Sequence, residues 1–138
     1  MTARDIIHEA VRNALIKDGW TITDDPYTIK YEDVTVYADL AAERMAAAER
    51  AARRIVVEVK SFVSPSSLYD LELALGQYQL YRSLLEVTAP DRELYLAVPA
   101  TVYMTFFVRT AIDMIVRRLR IALLVIDTDK QEVVTWTS

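Results

Sequence analysis

Hydrophobic positions recur along this chain with two periods, one of about 3.6 residues and one of about 2, and their alternation lays out the elements. Over residues 3–18, with Ile7 set at zero and a turn of about 100° per residue, Ile6, Ala10, Val11, Ala14 and Leu15 share one arc, which predicts an amphipathic helix. His8 falls at the edge of that arc and Glu9 nearly opposite its centre. Thr2 followed by Asp5 supplies the helix start, and Gly19 the stop. DPYTIKY (25–31) and VTVYADL (34–40) alternate as strands around a turn at Glu32 and Asp33, and RRIVVEVKSF (53–62) follows as a third. The Ala-rich segment 41–53 between them is compatible with either a helix or a long hairpin.

Ser64-Pro65-Ser66-Ser67 breaks the pattern, with Ser67 and Asp70 at capping-box spacing, and residues 68–87 read as a long helix. ELYLAVP (93–99) is a strand, 101–119 a third helix, and IALLVID (121–127) with EVVTW (132–136) a closing pair of strands. The order α-β-β-β-α-β-α-β-β predicts an α/β fold in which helices cover both faces of one mixed sheet. Strands buried on both faces account for their continuous apolar runs.

RRIVVEVKSF contains the one conflict in this pattern. Ile55, Val57 and Val59 alternate toward one side, and Val56, Glu58, Lys60 and Phe62 toward the other. An acid and a lysine therefore stand between two large apolar residues, and burying them costs free energy unless they are paired or bind an ion. Asp39, at the end of the preceding strand, is the nearest further charge. Two carboxylates converging from neighbouring strands repel unless a cation lies between them. With oxygen ligands alone that cation is Mg²⁺ or Mn²⁺. Lys60 would then orient or deprotonate a water, or stabilise a developing negative charge. The plainer alternative makes Glu58 and Lys60 a rim ion pair and Asp39 a residue at a turn.

Composition narrows the picture without choosing between these. The 138 residues suit one domain, and 53% hydrophobic with 26% charged residues describes an ordinary globular chain. The absence of cysteine excludes disulfides, thiolate nucleophiles and sulfur-ligated zinc. No apolar run reaches the ~20 residues of a membrane span and the N-terminus is no signal peptide, so a cytoplasmic protein is expected. The net charge of −4 argues against nonspecific coating of nucleic acid. Arg50, Arg53 and Arg54, and Arg117, Arg118 and Arg120, form two local basic clusters that read first as solvated surface. Trp20, Trp136, Met104, Phe106, Phe107 and Met114 read as core, and Tyr69, Tyr78 and Leu80 as packing residues of the second long helix. Gln77 and Tyr81 lie one helical turn apart and share a face, where they would support a site beside the Glu58 strand.

An acid at a strand end, E-V-K on the next strand, a helix before and a helix and strand after resemble the core of the PD-(D/E)xK nuclease superfamily. Gln77 and Tyr81 match the Q-x-x-x-Y signature of its RecB-like members, and His8 matches the histidine of their first helix. Ala38 stands where the superfamily usually has proline, and the long gap before Glu58 leaves Glu43, with Glu9, in reserve for Asp39. More closely, NALIKDGWTITDDP, ADLAAER, VVEVKSF, LGQYQLYR, DRELYLAVP and VVTW are similar to the XisH family, the excision controlling factors of the fdxN element in cyanobacteria. That resemblance implies a role in DNA rearrangement beside a XisI-type protein and a separate site-specific recombinase. It also implies a nuclease-like fold, and the first expectation drawn from the residues is a metal-dependent endonuclease in which Asp39 and Glu58 hold the cation, the Val59 carbonyl, with His8 as a further candidate, completes the site, and Lys60 activates water for phosphodiester hydrolysis. The other expectation is a noncatalytic regulator that binds the XisI-type partner, the recombinase or DNA through the same fold. Association with a second copy of the chain stays open.

Overall fold

A computed structural model describes residues 2–45 and 52–138. Helix α1 (Ala3–Lys17) leads into β1 (Thr21–Asp24), β2 (Tyr27–Tyr31), β3 (Val34–Ala38), β4 (Leu40–Met45) and β5 (Ala52–Val59). Helix α2 (Ser67–Thr88) is followed by β6 (Arg92–Pro99), a short α3 (Ala100–Val102), a π-helical turn (Tyr103–Phe107), α4 (Thr110–Arg118), β7 (Leu123–Asp127) and β8 (Glu132–Trp136). Among the described residues no helix is long and apolar enough to cross a membrane.

The result is a mixed α/β fold, with corrections to the predicted sheet. Its six strands run β1-β4-β5-β6-β7-β8, while β2 and β3 pair only with each other as a separate two-stranded sheet. The predicted strands 25–31 and 34–40 therefore do not join 53–62 in one sheet. The strand beside β5 is β4, built from the first half of the Ala-rich segment, and the antiparallel pairing of Leu40 with Val57 through Met45 with Ala52 makes a hairpin of it. Residues 46–51 of that segment, Arg50 among them, lie outside the described residues. Alanine suits β4 because Leu40, Ala41 and Ala42 are fully buried, so tertiary packing outweighs alanine's helix propensity. Strand β1 also escaped the sequence pattern, being four residues of alternating half-exposed type.

Strands β5, β6 and β7 are parallel, so the chain crosses over twice in the same direction and lays α2 and the broken third helix on one face. Helix α1 covers the other. Val56, Leu94, Leu96, Val98 and Val125 face α2, whereas Ile55, Val57, Tyr95, Ala97, Leu124 and Ile126 face α1. The capping box of Thr2 and Asp5 forms as predicted, and Gly19 ends α1 at φ +94°. For α2 the cap is Ser66, whose hydroxyl accepts from Tyr69 N–H, while Asp70 accepts from Ser64 N–H instead of closing a box with Ser67. Phe106, Phe107 and Trp20 are core, but Ile6, Met104 and Met114 are exposed, as are Tyr69 and Leu80.

Tyr78 ties the α2 side together. Its buried hydroxyl donates to Leu94 C=O at 2.9 Å and accepts from Ala122 N–H at 3.1 Å, joining the helix to β6 and to the approach of β7. Tyr78→Phe strands both backbone groups, so urea unfolding is expected to show a loss of about 1–3 kcal/mol at unchanged m-value. A loss below about 0.5 kcal/mol would mean that water or rearranged backbone replaces the hydroxyl.

Candidate active site

The apolar cover of β5 ends at Val57. Beyond it the side chain on the α2 face is Glu58, only 5% exposed and the one buried charged residue among those described. Asp39 occupies the bend between β3 and β4, and the Leu40–Val57 pairing brings it level with Glu58. The two acids are laced through the backbone. Asp39 N–H donates to Glu58 Oε1 at 3.2 Å, and Val59 N–H donates to Asp39 Oδ2 at 2.7 Å. Each carboxylate keeps its other oxygen outside these bonds. Lys60 Nζ lies 3.6 Å from Glu58 Oε2, and His8 Nδ1 lies 4.0 Å from Asp39 Oδ1.

These groups open on a cavity of about 270 Å³ lined by Arg4, Tyr37, Asp39, Glu58, Lys60 and Gln77, with Val59, Ser61 and Tyr81 completing its wall. Lys60 stays anchored to the sheet, because its N–H donates to Ala97 C=O at 2.9 Å. Two residues later the chain turns sharply. Phe62 takes φ +55°, a conformation a bulky side chain adopts only when its surroundings impose it. Here the ring is buried edge-on against Phe107 with centroids 5.3 Å apart, which offsets the strain.

Burial pushes the Glu58 carboxyl up to about 8, with the negative charge of Asp39 adding to it and Lys60 and the Asp39 N–H opposing. Burial likewise raises the Tyr81 hydroxyl to about 12, helped by the charges of Glu58 and Asp39. Tyr81 therefore stays neutral and donates to Tyr37 C=O at 3.3 Å, bracing the β3 end beside Asp39. Gln77 lines the cavity, and its carboxamide oxygen is buried with no partner among the described residues.

The predicted set is thus sorted by geometry. Asp39, Glu58, Val59, Lys60, Gln77 and Tyr81 meet at one cavity. His8 stands at the edge of this group: its Nε2 is 2.8 Å from Asp25 Oδ1, Asp25 also holds Arg12, and its Nδ1 lies 4.0 Å from Asp39 Oδ1. Glu9 is exposed, and Glu43 lies along β4 with its carboxylate 3.6 Å from Arg54, so neither reserve residue reaches the site. Arg4, Tyr37 and Ser61 were missed. Arg4 carried a signal, being one turn before His8 on the same helix face, and its cation sits in the first turn of α1, where the helix dipole disfavours positive charge.

Among the described residues no three His, Asp or Glu side chains are grouped closely enough to hold a metal by themselves. The donors fit a hard cation of the Mg²⁺ kind nonetheless, because such an ion takes one or two carboxylates and fills its remaining positions with backbone, water or phosphate oxygens. Two neighbouring carboxylates, one of them buried, are what such a cation would neutralise.

The Glu58 shift has a consequence in metal-free protein. An acid whose folded pKa lies above its ordinary value of 4.5 binds more protons folded than unfolded, so stability falls as pH rises between 4.5 and about 8. In EDTA, urea unfolding should show lower stability at pH 7.5 than at pH 5.5, by up to about 1.4 kcal/mol per pH unit, and Glu58→Gln should remove most of the difference. An equal pH difference in the variant would contradict this placement of Glu58.

A family model described as XisH protein matches residues 1–134. A crystal structure of an XisH family protein from Nostoc punctiforme PCC 73102 is 38% identical, superposes with a TM-score of 0.88, and is matched over 97% of this chain and 100% of that one. That of a fdxN element excision controlling factor protein from Anabaena variabilis is 42% identical with a TM-score of 0.89, over 98% and 100%. No curated protein matches the chain. With the family match spanning nearly every residue and two solved structures agreeing in both sequence and fold, this protein belongs to the XisH family.

Proposed function

We propose that the chain controls excision of a DNA element, the role named for its Anabaena relative, and does so as a PD-(D/E)xK-type endonuclease that hydrolyses DNA phosphodiester bonds with Mg²⁺ or Mn²⁺. The observation that carries this reading is the convergence of Asp39, Glu58 and Lys60, from two adjoining chain segments, in one cavity with a buried carboxylate. Asp39, Glu58 and the Val59 carbonyl would hold the cation. When bound, it would supply Lewis-acid polarisation of a phosphoryl oxygen and lower the pKa of a water.

The protein's own groups divide the remaining work. Arg4 and Lys60 bring positive charge to a cavity whose floor is acidic, which draws a phosphate toward the carboxylates instead of leaving it repelled. Lys60, 3.6 Å from Glu58 Oε2, is held where its ammonium can orient an attacking water and stabilise the charge growing on the phosphate. Gln77 supports the site from the cavity wall. Tyr81 and His8 act indirectly, by fixing the Tyr37 backbone and by flanking Asp39. A XisI-type protein and a site-specific recombinase in the cytoplasm are the partners this reading proposes.

A second reading, a noncatalytic regulator of the same fold, is favoured by the surface charges. Arg53 pairs with Glu93, Arg54 with Asp91 and Glu43, and Arg117 with Asp113. Arg53 and Arg54 of the first cluster and Arg117 of the second are thereby neutralised, which weakens their grip on duplex DNA.

The two readings separate in a cleavage assay on labelled linear, branched and single-stranded DNA, with Mg²⁺ or Mn²⁺ and with the companion protein supplied. The endonuclease reading expects metal-dependent cutting that Lys60→Ala lowers by about 10²–10⁴-fold and EDTA abolishes. Folded protein that cuts none of these substrates would leave the regulator.

A further inference from the structure

The outer face of α2 has a pattern that its own fold does not use. Tyr69, Leu73, Gly76, Leu80, Ser83 and Val87 are spaced by alternating steps of four and three, the seam of a coiled coil. All six are exposed, and the four large apolar ones stand 47 to 60% accessible on a helix whose inward face, through Leu71, Ala74, Tyr78, Tyr81 and Leu85, is already packed. Single exposed leucines are ordinary, but four large apolar side chains in register on one seam between Tyr69 and Val87, interrupted only by small residues, are not.

Gly76 sharpens the point. Glycine is the poorest helix former after proline, and a Cβ at this position would meet nothing within 4 Å. No neighbour in the described chain therefore requires glycine at the middle of the seam. Close approach of another helix would.

We infer that α2 packs antiparallel against α2 of a second copy of this chain, about a two-fold axis near the middle of the seam. In that pairing each layer sets one residue against a different one: Tyr69 against Val87 of the other copy, Leu73 against Ser83, and Gly76 against Leu80. Large side chains meet small ones in the two inner layers, which is how facing helices interdigitate. Parallel pairing would instead set Gly76 on Gly76 and Ser83 on Ser83, leaving gaps, and would align the two helix dipoles. An isologous contact of this kind is self-complementary by symmetry.

Size and charge set its strength. A strip about 27 Å long and 10–12 Å wide covers on the order of 300 Å² per copy. That is well under the roughly 800 Å² per partner of a standard stable interface, so the dimer is weak and reversible. Antiparallel pairing also brings exposed Glu72 near Glu86 of the other copy. Their repulsion is screened by salt, so association strengthens as ionic strength rises, opposite to a contact held by ion pairs. This pairing does not depend on the chemistry of the cavity.

Sedimentation velocity from about 5 to 500 µM tests it. The wild-type chain should pass from monomer to dimer, more readily at high salt, and Leu80→Glu should stay monomeric. Gly76→Leu should raise the thermal midpoint by about 3 °C through helix propensity while weakening association at least tenfold. Nonspecific stickiness would instead be increased by the added leucine. Because the chain has no cysteine, a short bis-maleimide gives the orientation: the double variant Leu73→Cys with Ser83→Cys should cross-link between copies, and neither single variant should. A wild-type monomer at all concentrations, a dimer that survives both seam substitutions, or cross-linking of Leu73→Cys to itself would overturn the proposal. A monomer whose seam instead takes up a helix of another protein would equally do so.

Discussion

A strand covered on both faces can carry an ionisable side chain only where the cover stops. Helix α1 closes one side of β5 over Ile55 and Val57, and α2 closes the other over Val56. Glu58 comes at the first position past that cover, still 5% exposed, and everything around it answers to its burial. The bend at Asp39 presents a backbone N–H to one carboxylate oxygen, Lys60 lies by the other, and the left-handed turn at Phe62 redirects the chain three residues beyond the strand. Tyr81 fixes the neighbouring β3 end through the Tyr37 carbonyl. The site is therefore a property of where two helices stop covering one strand.

Much of this was legible in the residue pattern because it rests on strong periodicity. The alternation in RRIVVEVKSF does place Ile55 and Val57 on the α1 side and Val56 and Glu58 on the α2 side, and the one-turn spacing of Gln77 and Tyr81 does put both on the cavity wall. What escaped was decided by contacts distant in sequence. Ala41 and Ala42 favour helix locally, yet fit a strand pressed between two layers, so β4 and its pairing with β5 could not be read from propensity. His8 shared the right face of α1, but no periodicity shows that its ring would stand between Asp25 and Asp39. Ile6, Tyr69 and Leu80 were assigned to packing for their hydrophobicity, and the structure leaves them outside.

The contrast between the two faces of α2 joins the proposals. Its inner face braces the site through Tyr81 and Gln77 and anchors β6 through Tyr78. Its outer face carries an apolar seam that none of the described residues covers. A helix that orders a cavity on one side and meets a second copy on the other would hold two such cavities in a defined relation. Whether the cavity does chemistry or only recognition, the acids at its floor must be neutralised by a proton, by Lys60 or by a cation.

That choice is the central one, and calorimetric titration of Mn²⁺ into metal-free protein at pH 7.5 addresses it directly, with Asp39→Asn and Glu58→Gln titrated alongside and thermal midpoints followed in the same samples. The account predicts saturable binding to the wild-type chain that raises its midpoint by mass action, and the loss of both effects in each variant. Absence of binding by folded wild-type protein, or binding that persists undiminished in both variants, would contradict it.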